Sequence, residues 1–128
     1  MPDLKVTFTS IRVVNNGEWT GKGELYWDFL LDGEPIGGEG SRSINNARKT
    51  ADGETIILNN ATRTVTKNVG DSLTVEASVS EKDNLDKDET ASFNNSFSNT
   101  GNWGIGNYQR ILRDQKLDVT VSYQIERA

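Results

Sequence analysis

The residues most able to do chemistry are concentrated in one acidic segment, 81–89, in which five of nine side chains are carboxylates. Carboxylates this close repel one another at neutral pH unless a cation or solvent relieves the repulsion. Ca²⁺ takes roughly six to eight oxygen ligands, so convergent carboxylates here would suit a calcium site. The simpler alternative is a solvated acidic loop in which Lys82 and Lys87 form local ion pairs.

Composition excludes several other kinds of site. The 128 residues contain no Cys and no His, which rules out thiol nucleophiles, Cys- or His-based zinc sites and Ser-His-Asp triads. A net charge of −5 without a basic run argues against binding to nucleic acid. Composition still permits a glycosidase that uses a pair of carboxylates, but that enzyme needs a deep cleft, which we do not expect in a small sandwich. We therefore expect a binding protein, not an enzyme.

Alternation of apolar and polar residues predicts strands along the chain, and no amphipathic helix is predicted. The first strand spans 3–14, with a bulge near Thr9-Ser10 where the alternation changes phase. Further strands are predicted at 23–31, 39–48, 54–59, 62–67, 72–80, 90–98, 108–112 and 117–125, with a Gly/Asn-rich loop at 99–107. About eight short strands separated by turn residues predict one all-β domain over 1–128, an antiparallel eight-stranded β-sandwich.

The strand 73–83 and the acidic pair that follows it resemble part of a known family. An alternating strand, Glu81-Lys82-Asp83 and then Asp88-Glu89 are similar to the sixth strand and third calcium loop of a C2 domain. The resemblance places Glu81 and Asp83 at the paired ligand positions and Glu89 at the third, with Asp88 as a neighbouring candidate. It implies a C2-like fold.

The earlier segment 10–26 resembles the first calcium loop of the same family, and 55–60 resembles its Leu-Asn-Pro turn with Asn60 in place of Pro. The resemblance implies that loops 16–24 and 81–89 share one end of the sandwich, with Asp52 closing the side. The calcium ligands it implies are Asn16, Glu18, Glu24, Glu81, Asp83, Asp88 and Glu89.

Three apolar loop residues suggest what this end would bind. Trp19 and Leu85 lie in the two calcium loops, where they would dip into a phospholipid surface while Ca²⁺ bridges lipid phosphates. Trp103, flanked by Gly and Asn, would contact a ligand such as a sugar ring. The sequence thus predicts a calcium-binding module for a membrane surface or protein partner. The alternative is a carbohydrate-binding or adhesion sandwich with structural calcium, in which Trp103 or Trp19 contacts the glycan.

No targeting signal is visible in the sequence. Residues 1–5 have neither the basic start nor the apolar stretch of a signal peptide, and no apolar run is long enough to span a bilayer. We expect a soluble chain, and its compartment stays unassigned.

Overall fold

The computed structural model describes residues 2–17, 23–82 and 88–128, which form two antiparallel sheets packed face to face. The strands in chain order are β1 (Asp3–Asn16), β2 (Gly23–Leu31), β3 (Glu34–Pro35), β4 (Ser41–Arg42), β5 (Arg48–Thr50), β6 (Thr55–Ile57), β7 (Thr62–Thr66), β8 (Ser72–Glu81), β9 (Glu89–Ser98), β10 (Gly106–Asp114) and β11 (Leu117–Arg127).

These segments fill four strand positions in each sheet. In the first sheet the order is β10-β11-β1, and β6 and β7 share the far side of β1. In the second sheet the order is β9-β8-β2, and β3, β4 and β5 successively line the other side of β2. The predicted all-β, eight-stranded sandwich is therefore confirmed, with two of its eight positions built from short segments.

β1 shows why this sequence folds as a sandwich. Leu4, Val6 and Phe8 point into the core, and Ile11 and Val13 continue the buried face after the phase step. The pairing of β1 with β11 shifts register between Phe8 and Ser10, so the predicted bulge is confirmed. Each fully buried side chain of this size stabilises the fold by about 1.5–3 kcal/mol.

The prediction of one strand over 39–48 is wrong. Two short 3-10 helices, Gly38–Gly40 and Ile44–Asn46, interrupt this edge and leave only β4 and β5 paired to β2. Gly38 has a φ of +61°, and a Cβ there would overlap the main chain at Asn60. The close approach of two loops, which alternation does not encode, breaks the strand.

The region 99–112 also differs from the sequence prediction. Asn99–Gly104 forms a 3-10 segment, and β10 runs for nine residues from Gly106, well beyond the predicted 108–112. A tight turn at 115–116, with Gln115 at a φ of +54°, joins β10 to β11. Within the described residues, no helix has the length and apolar character needed to cross a membrane.

Candidate functional site

Four strand ends meet at one end of the sandwich, which we call the acidic end. β1 ends there at Asn16 and β2 begins at Gly23; β8 ends at Glu81 and β9 begins at Glu89. The Lys82 N–H donates to the carbonyl of Glu24 at 2.8 Å, which ties the end of β8 to the start of β2. The described ends of loops 16–24 and 81–89 therefore lie side by side.

Glu81 and Glu89 form the centre of the acidic end. They are register partners across β8 and β9, and both continue the inward-facing series of their strands. Glu81 is 1% exposed and Glu89 is half-buried. Glu89 Oε2 is buried and has no hydrogen-bond partner among the described residues. Like charges directly opposite each other destabilise a sheet, so this pair favours a compensating cation.

Gly17 lets the main chain of the first loop lie directly against this pair. Its φ is +83°, and a Cβ built there would lie 2.7 Å from Glu89 Oε2 and 3.3 Å from Glu81 Cγ. Only glycine combines this conformation with this closeness without strain. The result is a small cradle between the carboxylates and the turn after β1.

Asn16 is held in place by the neighbouring loop. It is 1% exposed, and its Nδ2 donates to the Thr50 carbonyl at 2.8 Å. Its main-chain N–H donates to Asp52 Oδ1, also at 2.8 Å. Asp52 therefore lies at the side of the acidic end, where the sequence placed it, and it fixes the turn that carries Gly17.

Asp88 faces away from the inward pair. Its Oδ2 accepts a hydrogen bond from the Tyr26 hydroxyl at 2.6 Å, on the outer face of the second sheet. Burial raises the pKa of the Tyr26 hydroxyl, and the hydrogen bond to Asp88 raises it further. This contact fixes the start of β9. Nothing in the strand patterns had singled out Tyr26, although its position between the core residues Leu25 and Trp27 places it on the outer face.

Glu24 also lies on that outer face, because it alternates with the buried Gly23 and Leu25. Its pairing partner on β5 is Lys49, and Lys82 bonds to its carbonyl from the other side. The structure thus brings Glu81 and Glu89 together with Asn16-Gly17 and does not bring the side chain of Glu24 to them.

Trp103 requires a correction as a ligand contact. It is 4% exposed and belongs to the hydrophobic core, in a segment where Asn102 and Trp103 both have positive φ values. The turn folds the indole inward, so a membrane or a sugar cannot reach its ring. The remaining predicted residues, Glu18, Trp19, Asp83 and Leu85, lie outside the described residues.

The described residues alone do not complete a metal site. Among them, no three acidic side chains converge closely enough to hold a metal ion. The acidic end as described supplies one opposed carboxylate pair and one main-chain cradle. The sequence had not singled out Gly17; its Asn-Asn-Gly context signals a turn but not what that turn contacts.

Comparisons with known proteins identify the fold. No family model and no curated protein matches the chain. Similar solved structures include a C2 domain protein from Ramazzottius varieornatus (13% identity, TM-score 0.52, 99% of this chain and 90% of that chain). Another is a C2 domain of plant Extended Synaptotagmin 1 (10% identity, TM-score 0.51, 99% of this chain and 95% of that chain). The architecture is therefore that of a divergent C2-like β-sandwich.

Proposed function

We propose that this C2-like module binds Ca²⁺ at the acidic end and uses the bound ion to attach to a phospholipid surface. The observation that carries the proposal is the inward-facing pair Glu81 and Glu89 lying against the Gly17 turn. The fold contributes the expectation of a binding module, and the site chemistry contributes the choice of ligand.

The donor chemistry of the acidic end fits a hard cation. Carboxylate and main-chain oxygens are the ligands that Ca²⁺ prefers, and an ion between Glu81 and Glu89 would offset their mutual repulsion. Glu89 Oε2, buried without a hydrogen-bond partner among the described residues, is the atom best suited to bind it. We propose Glu18 and Asp83 as further ligands, on the basis of their positions in the two loops of the sequence.

The attachment step follows from the charge of the chain. A net charge of −5 opposes approach to an anionic bilayer, so Ca²⁺ would have to bridge the carboxylates and the lipid phosphates. Trp19 and Leu85 are the loop residues that we propose enter the interface. A protein partner is the other candidate for the same end. The carbohydrate alternative is not favoured by the C2-like neighbours, and the core encloses Trp103, one of the two aromatic residues (with Trp19) expected to contact a glycan.

The test of calcium binding is thermal melting in EDTA and at increasing Ca²⁺ concentration. A ligand that binds only the native state adds about 2.7 kcal/mol of stability at one hundred times its Kd, so the melting temperature should rise. Glu89→Gln should remove most of that rise. Glu76→Gln, which changes the same charge on the outer face of β8, should leave it intact. No rise at millimolar Ca²⁺ would contradict the proposal.

Sedimentation with vesicles tests the attachment step separately. Vesicles containing phosphatidylserine and phosphatidylcholine should pellet the protein in Ca²⁺ and not in EDTA. Trp19→Ala should reduce pelleting without changing the calcium-dependent rise in melting temperature. A normal rise in melting temperature without pelleting would reject the membrane and leave a protein partner as the target of the acidic end.

A further inference from the structure

One of the four sheet edges lacks the features that normally prevent strands from pairing with other chains. Natural edges are protected by short strands, charged side chains, Pro or bulges. In the described residues, 3-10 helices interrupt the β3–β5 edge, and the β6–β7 edge is broken after Ile57. The β10 edge carries Arg110, Arg113 and Asp114. The remaining edge is β9.

β9 is long and regular, and it carries no charged side chain from Thr90 to Ser98. It pairs with β8 over ten residues without a register shift. Residues 90–109 form a run of twenty positions without Asp, Glu, Lys or Arg, in a chain that is 26% charged. Beyond Thr90, whose N–H is already bonded to the Asp114 carboxylate of β10, the strand itself has neither the charge nor the irregularity that would repel an incoming strand.

The direction of the free main-chain groups follows from one hydrogen bond. The Thr90 N–H donates to Asp114 Oδ2 at 2.8 Å, away from β8. Antiparallel pairing alternates in direction, so Ser92, Asn94 and Ser96 also point their N–H and C=O groups away from β8. Within the described chain, no main-chain hydrogen bond outside the strand ladders involves these three residues, and all three are exposed.

We infer that β9 pairs antiparallel with β9 of a second copy of this chain. An axis at Asn94 places Asn94 opposite itself and Ser92 opposite Ser96 of the second copy. Three such hydrogen-bonded pairs supply about six main-chain hydrogen bonds and join the two second sheets into one.

A second copy of β9 is an occupant that this edge can accept without opposing charges. Two chains of net charge −5 repel each other over most of their surfaces. The β9 edge lets them meet through Ser, Asn and Thr side chains with no charges opposed. A charged peptide would find no partner for its charges on this strand, whereas β9 itself brings none.

The test is analytical ultracentrifugation in EDTA, which separates this inference from calcium binding. The wild type should shift from 14.2 kDa toward twice that mass as its concentration rises from about 1 μM to about 1 mM. Asn94→Lys places like charges opposite each other and should raise the dimer dissociation constant about fivefold or more. Ser78→Lys, on the same face but one strand inward, should leave the dissociation constant unchanged.

A charge-swap mixture locates the axis. Asn94→Lys and Asn94→Glu should each dimerise more weakly than the wild type when alone and form a heterodimer when mixed, because residue 94 faces its own counterpart. The chain has no Cys, so Asn94→Cys should give a disulfide-linked dimer on oxidation and Ser78→Cys should not. A wild type that stays monomeric at every concentration, or a mixture that does not associate, would overturn the inference.

Discussion

Gly17→Ala tests whether the main chain of the first loop lies against the carboxylate pair. The substitution has two separable effects. A φ of +83° strains any residue with a Cβ, and the new methyl group would lie 2.7 Å from Glu89 Oε2. Gly33→Ala is the matched control, because Gly33 has a φ of +80°, lies at the opposite end of β2 and has nothing within 4 Å of the added Cβ.

The structure sets the size of both effects. The left-handed conformation costs a non-glycine residue about 1–2 kcal/mol, so both variants should lose that much stability in EDTA. An ordinary contact begins at 3.4 Å, so the Glu89 carboxylate must retreat by 3.4 − 2.7 = 0.7 Å in Gly17→Ala. Calcium–oxygen distances span only about 2.3–2.6 Å. We expect calcium affinity to fall about tenfold or more, which corresponds to about 1.4 kcal/mol.

The assay is urea unfolding followed by tryptophan fluorescence, in EDTA and in Ca²⁺. Gly33→Ala should keep the full calcium-dependent gain in the free energy of unfolding, and Gly17→Ala should lose at least half of it. If the two variants show the same gain in Ca²⁺, the carboxylates do not bind calcium at this turn and the reasoning is wrong.

Three further predictions concern the rest of the molecule. Gly104→Ala should destabilise the fold by about 2 kcal/mol or more, because the φ of Gly104 is +71° and an added Cβ would overlap the Phe97 ring. Gly101→Ala is the control: its added Cβ would meet open space, so its free energy of unfolding should be nearly unchanged in the same urea assay. Burial raises the pKa of Tyr123, and burial with the Asp88 hydrogen bond raises that of Tyr26. The folded state therefore keeps these protons longer than the unfolded chain, and stability should fall as pH rises above about 10. In a pH titration followed by phenolate absorbance, Tyr26→Phe should remove one of the tyrosines that ionise above the ordinary pKa. An unchanged number of such tyrosines would contradict this. Finally, adding EDTA to the calcium-loaded protein should lower its melting temperature to the calcium-free value, and a retained temperature would contradict reversible binding.

Strand positions were predictable wherever one face of a long strand is buried. The apolar series in β2 predicted Gly23–Leu31, and the structure has that strand with the same bounds. The phase step at Thr9-Ser10 likewise predicted the shift in β1. The edge at 39–48 was not predictable by the same argument, because its shape depends on contact with Asn60, a residue distant in sequence.

The residues of the candidate site were also predictable from the sequence only in part. The density of acidic residues identified the segment 81–89, and the resemblance to a C2 domain assigned ligand positions to Glu81 and Glu89 within it. Their inward direction follows from the alternation of their strands. That alternation also places Glu24 on the outer face, opposite to the direction that the resemblance implied for it. The burial of Trp103 could not be read from its Gly- and Asn-rich surroundings, because positive φ values at 102 and 103 turn the indole into the core.

The sequence by itself determined the class of fold, the missing chemistries and the location of the negative charge. These properties depend on residue types and on periods of two residues, which are local. Only the tertiary structure decided that Gly17 lies against Glu81 and Glu89, more than sixty positions away, and that β9 is the unprotected edge. Both depend on which strands pair and in what register, and pairing is decided by burial across the whole domain.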